Sequence, residues 1–325
     1  MRISKRSPVF ILIATLATAG LVLAAGSQPA APLQPKPQAG SSPSTQAQTN
    51  APAQPLTDDE LRVRTQKLLA NQHSDDDALE LYDRVERHID RTGGANPRTI
   101  DDKTYRVVPT GMGNTKILLH EEGKPTVSSA YASQLQTLEA LLETTENPND
   151  PKAKVADAKF QKRMHERAQF VDAASEAYSA KWVARESWNG HDCDVIALDP
   201  NPKFQPRSMF QDAFAHTTAR LWVDRQAIQI VHGEAHVTSD ISFGGGILGK
   251  LYRGSLVSMD QAEIAPGIWL PTHYQYDFAG RKFLFSFDQH QTVEVSRYRR
   301  VGPPREALQI VRNELSSGKT FSEDP

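Results

Sequence analysis

Cysteine is almost absent from this chain. Cys193 stands alone among 325 residues, which excludes an intramolecular disulfide. It lies in a strand-like run, DCDVIAL, where a buried, inert thiol is expected. No cysteine follows the N-terminal apolar run, so a lipidated N-terminus is not expected. Neither sign of charge dominates, with 37 Lys and Arg against 39 Asp and Glu. Residues 1–25 carry three basic and no acidic side chains, and the remainder has 34 basic against 39 acidic residues, a net charge of −5. A mildly acidic surface has no general attraction for nucleic acid or anionic lipid, so no nucleic-acid partner is expected.

Motifs of catalysis are missing as well. The chain has no G-x-S-x-G, P-loop, H-E-x-x-H or C-x-x-C. Gly244-Gly245-Gly246 lacks the lysine and the strand-to-helix setting of a phosphate loop, and reads as a flexible connector. His232 and His236 would have metal-ligand spacing on a helix, but their surroundings read as strand, where four residues span about 13 Å. His273 and His290 fall in neighbouring strands without being register partners. Asp192 and Asp194 flank Cys193 on one strand face, as a hydrolase carboxylate pair could, although solvated strand acids are commoner. No catalytic residue, metal or cofactor is therefore expected. A hydrolase on the Asp192/Asp194 face stands as a third reading of function.

What is present begins with Arg2, Lys5 and Arg6, the apolar run Val9–Ala25 and short side chains at Val22 and Ala24. This is the pattern of a cleaved signal peptide at 1–25, with an uncleaved membrane anchor as the alternative. Residues 26–56 are rich in Pro, Ala, Gln and Ser and read as a disordered linker. The folded domain is expected over 57–302, with a helical insertion at about 128–180 and a tail from 303 to 325. Thr57 and Glu60 form a capping box for a first helix. A second helix is expected after Ser74, through Leu79, Leu81, Tyr82, Val85 and Ile89 to Gly93-Gly94, with Asp75, Asp76 and Asp77 in its first turn to suit the helix dipole. Strands follow at Thr104–Pro109 and Thr115–His120. Two helices come next, from Ser128 and over about Ala153–Ala177, the latter with a solvated basic side of Lys159, Lys162, Arg163 and Arg167.

From Lys181 onward the pattern is β. Trp182–Trp188 and Val195–Leu198 flank the hairpin turn Asn189-Gly190. Ala219–Asp224 pairs with a strand from Ile228 towards Val237. The most aromatic stretch is Trp269–Phe287. Tyr274, Tyr276 and Phe278 alternate before Ala279-Gly280, and Phe283, Phe285 and Phe287 alternate after it. An even loop at Ala279-Gly280 sets Tyr276 opposite Phe283 and Tyr274 opposite Phe285 on one face, with Asp277 opposite Lys282 on the other.

Three short phrases carry a resemblance. Glu186–Gly190 with Val195–Pro200, the strand Ala219–Asp224 and the run Ile268–Pro271 are similar to segments of the LolA/LolB/RseB-like lipoprotein-sorting superfamily of the bacterial envelope. The stretch from about Phe160 to Val301 looks most like uncharacterised exported proteins of that set. The resemblance implies an α+β fold: a curved antiparallel open half-barrel covered by helices, with an apolar concave face that holds acyl chains. It implies a non-catalytic, periplasmic lipid- or lipoprotein-binding protein, with Leu221, Val223, Tyr274, Tyr276, Phe283 and Phe285 as candidate cavity residues. The second reading is an envelope interaction or sensor module with a protein partner and no bound lipid.

Overall fold

The computed structural model describes residues 54–94, 96–147 and 149–318. The expected signal peptide and the linker up to residue 53 lie outside the described residues. The described chain is an α+β fold built on one antiparallel sheet. Helix α1 (Asp58–Leu79) is followed by β1 (Tyr82–Thr92), β2 (Arg98–Pro109), β3 (Asn114–Glu121) and the short β4 (Lys124–Pro125). Helices α2 (Ser128–Glu146) and α3 (Pro151–Ala177) come next. The chain then runs through β5 (Tyr178–Trp188), β6 (His191–Pro200), a short helical turn α4 (Met209–Asp212) and β7 (Thr217–Asp224). It finishes with β8 (Ile230–Val237), β9 (Ile241–Phe243), β10 (Gly249–Leu251), β11 (Leu256–Ala265), β12 (Ile268–Lys282), β13 (Phe285–Arg300) and α5 (Pro304–Ser317).

The strands lie in the order β4-β3-β2-β1-β13-β12-β11-β8-β7-β6-β5, with β10 and β9 added beside the end of β12. The sheet is open, because β4 and β5 are its two edges. Its longest-range join is β1 to β13, which pair from Tyr82 opposite Arg300 to Thr92 opposite Gln289. A sheet this wide curls rather than lying flat. Its inner face, defined here as the one under α1, carries the main core. Ile196, Val223, Val257, Met259, Tyr274 and Tyr276 pack there with Leu61 and Leu68 of α1. The opposite, outer face is covered at the β1–β3 end by α2 and α5: Val85, Val108 and Ile117 meet Leu135, Leu138 and Leu142 of α2 and Leu308 and Val311 of α5.

Local chemistry explains most ends. The Thr57 hydroxyl accepts from the Glu60 N–H, and the Glu60 carboxylate accepts from the Thr57 N–H, so the capping box exists as expected. Asp150 caps α3 through the N–H groups of Lys152 and Ala153, with Pro151 at the first helical position. Asn189 and Gly190 both take positive φ (47° and 86°), as a tight two-residue hairpin turn requires.

Three expectations are corrected. No second helix starts at Ser74. Helix α1 runs unbroken to Leu79, and the stretch Tyr82–Thr92 is a strand held between β2 and β13. The three acids Asp75–Asp77 therefore sit near the C-terminal end of a helix, where the dipole disfavours them. Finally, the aromatic hairpin turns at Phe283-Leu284 rather than at Ala279-Gly280. Lys282 faces Phe285, Gly280 faces Phe287, Tyr276 faces Gln291 and Tyr274 faces Val293. Phe283 and Phe285 thus stand at the exposed tip, not opposite the tyrosines.

Candidate functional site

Register places the candidate residues directly. Leu221 lies opposite Gly233, Gly233 opposite Met259, Met259 opposite Tyr274, and Tyr274 opposite Val293. Directly opposed residues share a face, so this row runs along the inner face from β7 to β13. The next row is Ala219, Ala235, Val257 and Tyr276. Leu221, Val223, Tyr274 and Tyr276 are therefore brought together, and all four pack in or against the inner core. Tyr274 and Tyr276 stack with ring centroids 6.1 Å apart. Phe283 and Phe285 are not part of this group. They project from the β12–β13 tip.

The same rows change character at β1. Val293 lies opposite His88 and Gln291 opposite Asp90. Arg84, Glu86 and His88 alternate along β1 on the inner face, and Lys116 joins them from β3. The Arg84 Nε donates to Glu86 Oε1 at 2.8 Å, while Lys116 Nζ donates to Glu86 Oε2 at 2.8 Å. His88 lies 2.9 Å from Glu86 and 2.8 Å from Lys116. Burial alone would raise the Glu86 carboxyl, but the adjacent Arg84 and Lys116 charges hold it well below the usual carboxylate range. Burial, aided by the charge of Lys116, lowers the His88 imidazole and favours its neutral form. Arg84 Nη1 and the Tyr274 hydroxyl are buried without a hydrogen-bond partner among the described residues, while Arg84 Nη2 lies 2.8 Å from Glu86 Oε1. The inner face is thus mainly apolar from β7 across to β13 and ionic over β1–β3, with buried Asp194 of β6 at its far side. Reading β1 as a helix hid the ionic half; the alternation Arg84-Glu86-His88-Asp90 against Val85 and Ile89 was its signal in the sequence.

Helix α1 covers the apolar half mainly through polar anchors. Arg64 Nη1 reaches Asp194 Oδ2 at 3.2 Å, and Asn71 donates to the Ile228 carbonyl at 2.8 Å. Gln72 donates to the side-chain carbonyls of Gln229 and Gln261, both at 3.2 Å. Asp75 Oδ1 accepts the Trp269 N–H at 3.0 Å. Asp76 pairs with Arg167 of α3 at 2.7 Å, so Arg167 belongs to this cover and not to a solvated basic side. Only Leu61 and Leu68 add α1 side chains to the buried inner core.

Burial pushes the Asp75 carboxyl up to about 6 against the opposing Trp269 N–H, and pushes Asp76 up to about 7 against Arg167. The unfolded chain releases the Asp75 proton near 3.8, whereas the fold retains it to about pH 6. Between these values the native state binds more protons, so the stability contributed by Asp75 falls as pH rises. Asp75→Asn removes that dependence. Its Tm is expected to match the wild type near pH 4.5 and to exceed it by roughly 2–4 °C at pH 8. Thermal melts of both proteins at the two pH values test this, and an advantage that does not grow with pH refutes the burial account.

The remaining sequence candidates are engaged in contacts of other kinds. Asp192 pairs with Arg225 at 2.5 Å, and buried Asp194 accepts from the Trp182 indole at 3.0 Å beside Arg64 and Arg185. On the outer face His232 stacks on Trp188 at 3.9 Å and lies 2.7 Å from Asp260. Glu234 sits between His232 and His236, at 3.2 and 3.3 Å. Among the described residues no group of three or more His, Cys, Asp or Glu is placed to hold a metal ion. Cys193 is buried, and burial, with the nearby Asp224 charge, pushes its thiol up to about 12. Among the described residues no helix is long and apolar enough to cross a membrane.

No protein-family model matches the chain, and no curated protein does. Solved structures similar to it include a domain from Vibrio parahaemolyticus assigned to outer membrane lipoprotein sorting, at 10% identity and a TM-score of 0.30. They also include a LolA superfamily protein from Nitrosomonas europaea, at 9% identity and 0.30, and a DUF1329 family protein from Desulfovibrio piger, at 13% and 0.26. Each likeness covers 72% of this chain and 92% of the other. At that level of likeness, the functional reading rests on this chain's own residues.

Proposed function

We propose that this chain is a non-catalytic, periplasmic protein that holds the apolar chains of a lipid or lipoprotein against the inner face of its sheet. The observation that carries the reading is the pairing of an apolar face with a polar-latched cover. Leu221, Val223, Val257, Met259, Tyr274 and Tyr276 form a continuous apolar surface across several strands. The helix over it is held mostly by Arg64, Asn71, Gln72 and Asp75, whose partners water can replace. Neutral hydrogen bonds of this kind contribute only about 1 kcal/mol net each, and a charged one such as Arg64 to Asp194 about 1.5–3 kcal/mol. Lifting α1 exposes the apolar surface to acyl chains, which then restore the burial that Leu61 and Leu68 supplied. The ionic end at Arg84, Glu86 and Lys116 gives a polar head group a place beside the chains.

The test is displacement of a fluorescent fatty acid, with mass spectrometry of lipid that co-purifies from a periplasmic extract. Wild-type protein is expected to bind and to carry lipid. Leu221→Asp places a charge on a half-buried part of the apolar face and is expected to weaken binding at least about tenfold. Absence of both lipid and displacement in the wild type overturns the proposal and favours the interaction or sensor module.

A further inference from the structure

A second apolar surface lies outside this face. The β9–β10 connection and the β12–β13 turn meet side by side. Gly249 pairs with Lys282 and Leu251 with Gly280. The Phe283 N–H donates to the Leu248 carbonyl at 3.3 Å, and Arg281 Nη2 donates to the Gly246 carbonyl at 3.1 Å. The joint tip exposes Ile247 (77%), Leu248, Phe283 (50%), Leu284 (85%) and Phe285 (69%). These are five of the ten exposed large hydrophobic residues among the described residues. Scattered single residues are ordinary, but such a concentration marks a contact surface.

Turn chemistry does not account for it. Phe283 has φ of 52°, a left-handed conformation that Gly or Asn adopts readily and a bulky residue rarely does. The chain keeps Phe-Leu where Asn-Gly would make a better turn. Residues 244–250 and 280–286 contain Lys250, Arg281 and Lys282 and no acidic residue. Lys250 is paired with Asp240 at 2.8 Å, so the positive charge at the tip rests on Arg281 and Lys282. Protruding Phe and Leu side chains backed by cations match the interface of an anionic bilayer, with rings and aliphatic groups at the acyl boundary and cations among the head groups.

We propose that this double tip docks the protein on an anionic membrane surface. The docking does not require the inner face to hold lipid. To test it, Leu284→Cys in the full chain is labelled with an environment-sensitive fluorophore, the only other thiol being buried Cys193. Vesicles rich in phosphatidylglycerol are expected to shift the emission to the blue, whereas phosphatidylcholine vesicles and a label at exposed Val127→Cys produce no shift. Lys282→Glu is expected to reduce partitioning about tenfold or more, and added salt to weaken it. A label at 284 that stays in water on anionic vesicles overturns the proposal. Equal response to the two vesicle types does so too, and so does vesicle binding unchanged by Phe283→Ser, Leu284→Ser and Phe285→Ser together.

Discussion

Glu86→Gln is expected to cost about 3–5 kcal/mol of folding stability, read as a lowered urea midpoint with an unchanged slope. The Glu86 carboxylate bonds both Arg84 and Lys116. Arg84 is fully buried, and its guanidinium donates through Nε to Glu86 alone. The glutamine can still accept one hydrogen bond, but it supplies no charge, so two cations are left facing each other in a low-dielectric interior. Lys116 can turn its ammonium towards solvent, whereas Arg84 cannot. The double variant Arg84→Met with Glu86→Leu removes both buried charges and is expected to regain most of the loss, because an apolar pair of similar volume replaces a buried ion pair at little cost. A single variant as stable as the wild type refutes this picture. A double variant no better than the single one would instead assign the loss to packing.

The ionic cluster also shows what local patterns could and could not tell. The β5–β6 hairpin was legible, because Asn189-Gly190 dictates its own turn and the flanking residues alternate. So were β7 and β8, α2, and the one face shared by Tyr274 and Tyr276. Leading into and along Tyr82–Thr92, Leu79, Leu81, Tyr82, Val85 and Ile89 fit a helical stripe, while charges occupy both strand faces. Pairing on both sides with β2 and β13 decides between the two, and the β13 half of that information lies some 200 residues away in the chain. The aromatic hairpin misled for a different reason. Gly280 looks like a turn, yet a side chain there would meet the Lys250 carbonyl at 2.4 Å and the Phe287 ring at 2.7 Å. It is a glycine because β10 and Phe287 press against it, not because the chain reverses. A glycine that admits a neighbour and one that makes a turn look alike in sequence.

The other large expected effect concerns the C-terminal segment, which reads in sequence as a tail from 303 onward with a short helical pattern at Leu308, Val311 and Leu315. Ending the chain at Gly302 is expected to leave it largely insoluble, or to lower stability by about 5 kcal/mol or more. Helix α5 buries Ala307, Leu308 and Val311 against Leu138 and Leu142 of α2 and Val108 and Ile117 of the sheet. Burial of Leu308 and Val311 alone contributes roughly 1.5–3 kcal/mol each. The helix also carries Glu314, whose carboxylate accepts from Arg106 Nη1 at 2.6 Å. Arg106 is buried, donates to Asp83 at 2.8 and 3.0 Å, and lies 3.2 Å from the Tyr131 hydroxyl of α2. Nearby Asp83 and Glu314 charges raise its guanidinium further even though burial opposes them, so the cation persists and requires its anions. Deleting α5 takes one of them away while exposing the apolar outer face of β1–β3. The two losses are separable. Glu314→Gln in the full chain keeps the apolar contacts and is expected to cost less than the truncation, because Asp83 still pairs with both Arg106 and Arg299. Soluble yield and urea midpoints of the three proteins decide the matter: a truncated chain that melts like the full one would show that α5 merely rests on the sheet, whereas the expected order is wild type, then Glu314→Gln, then the truncation.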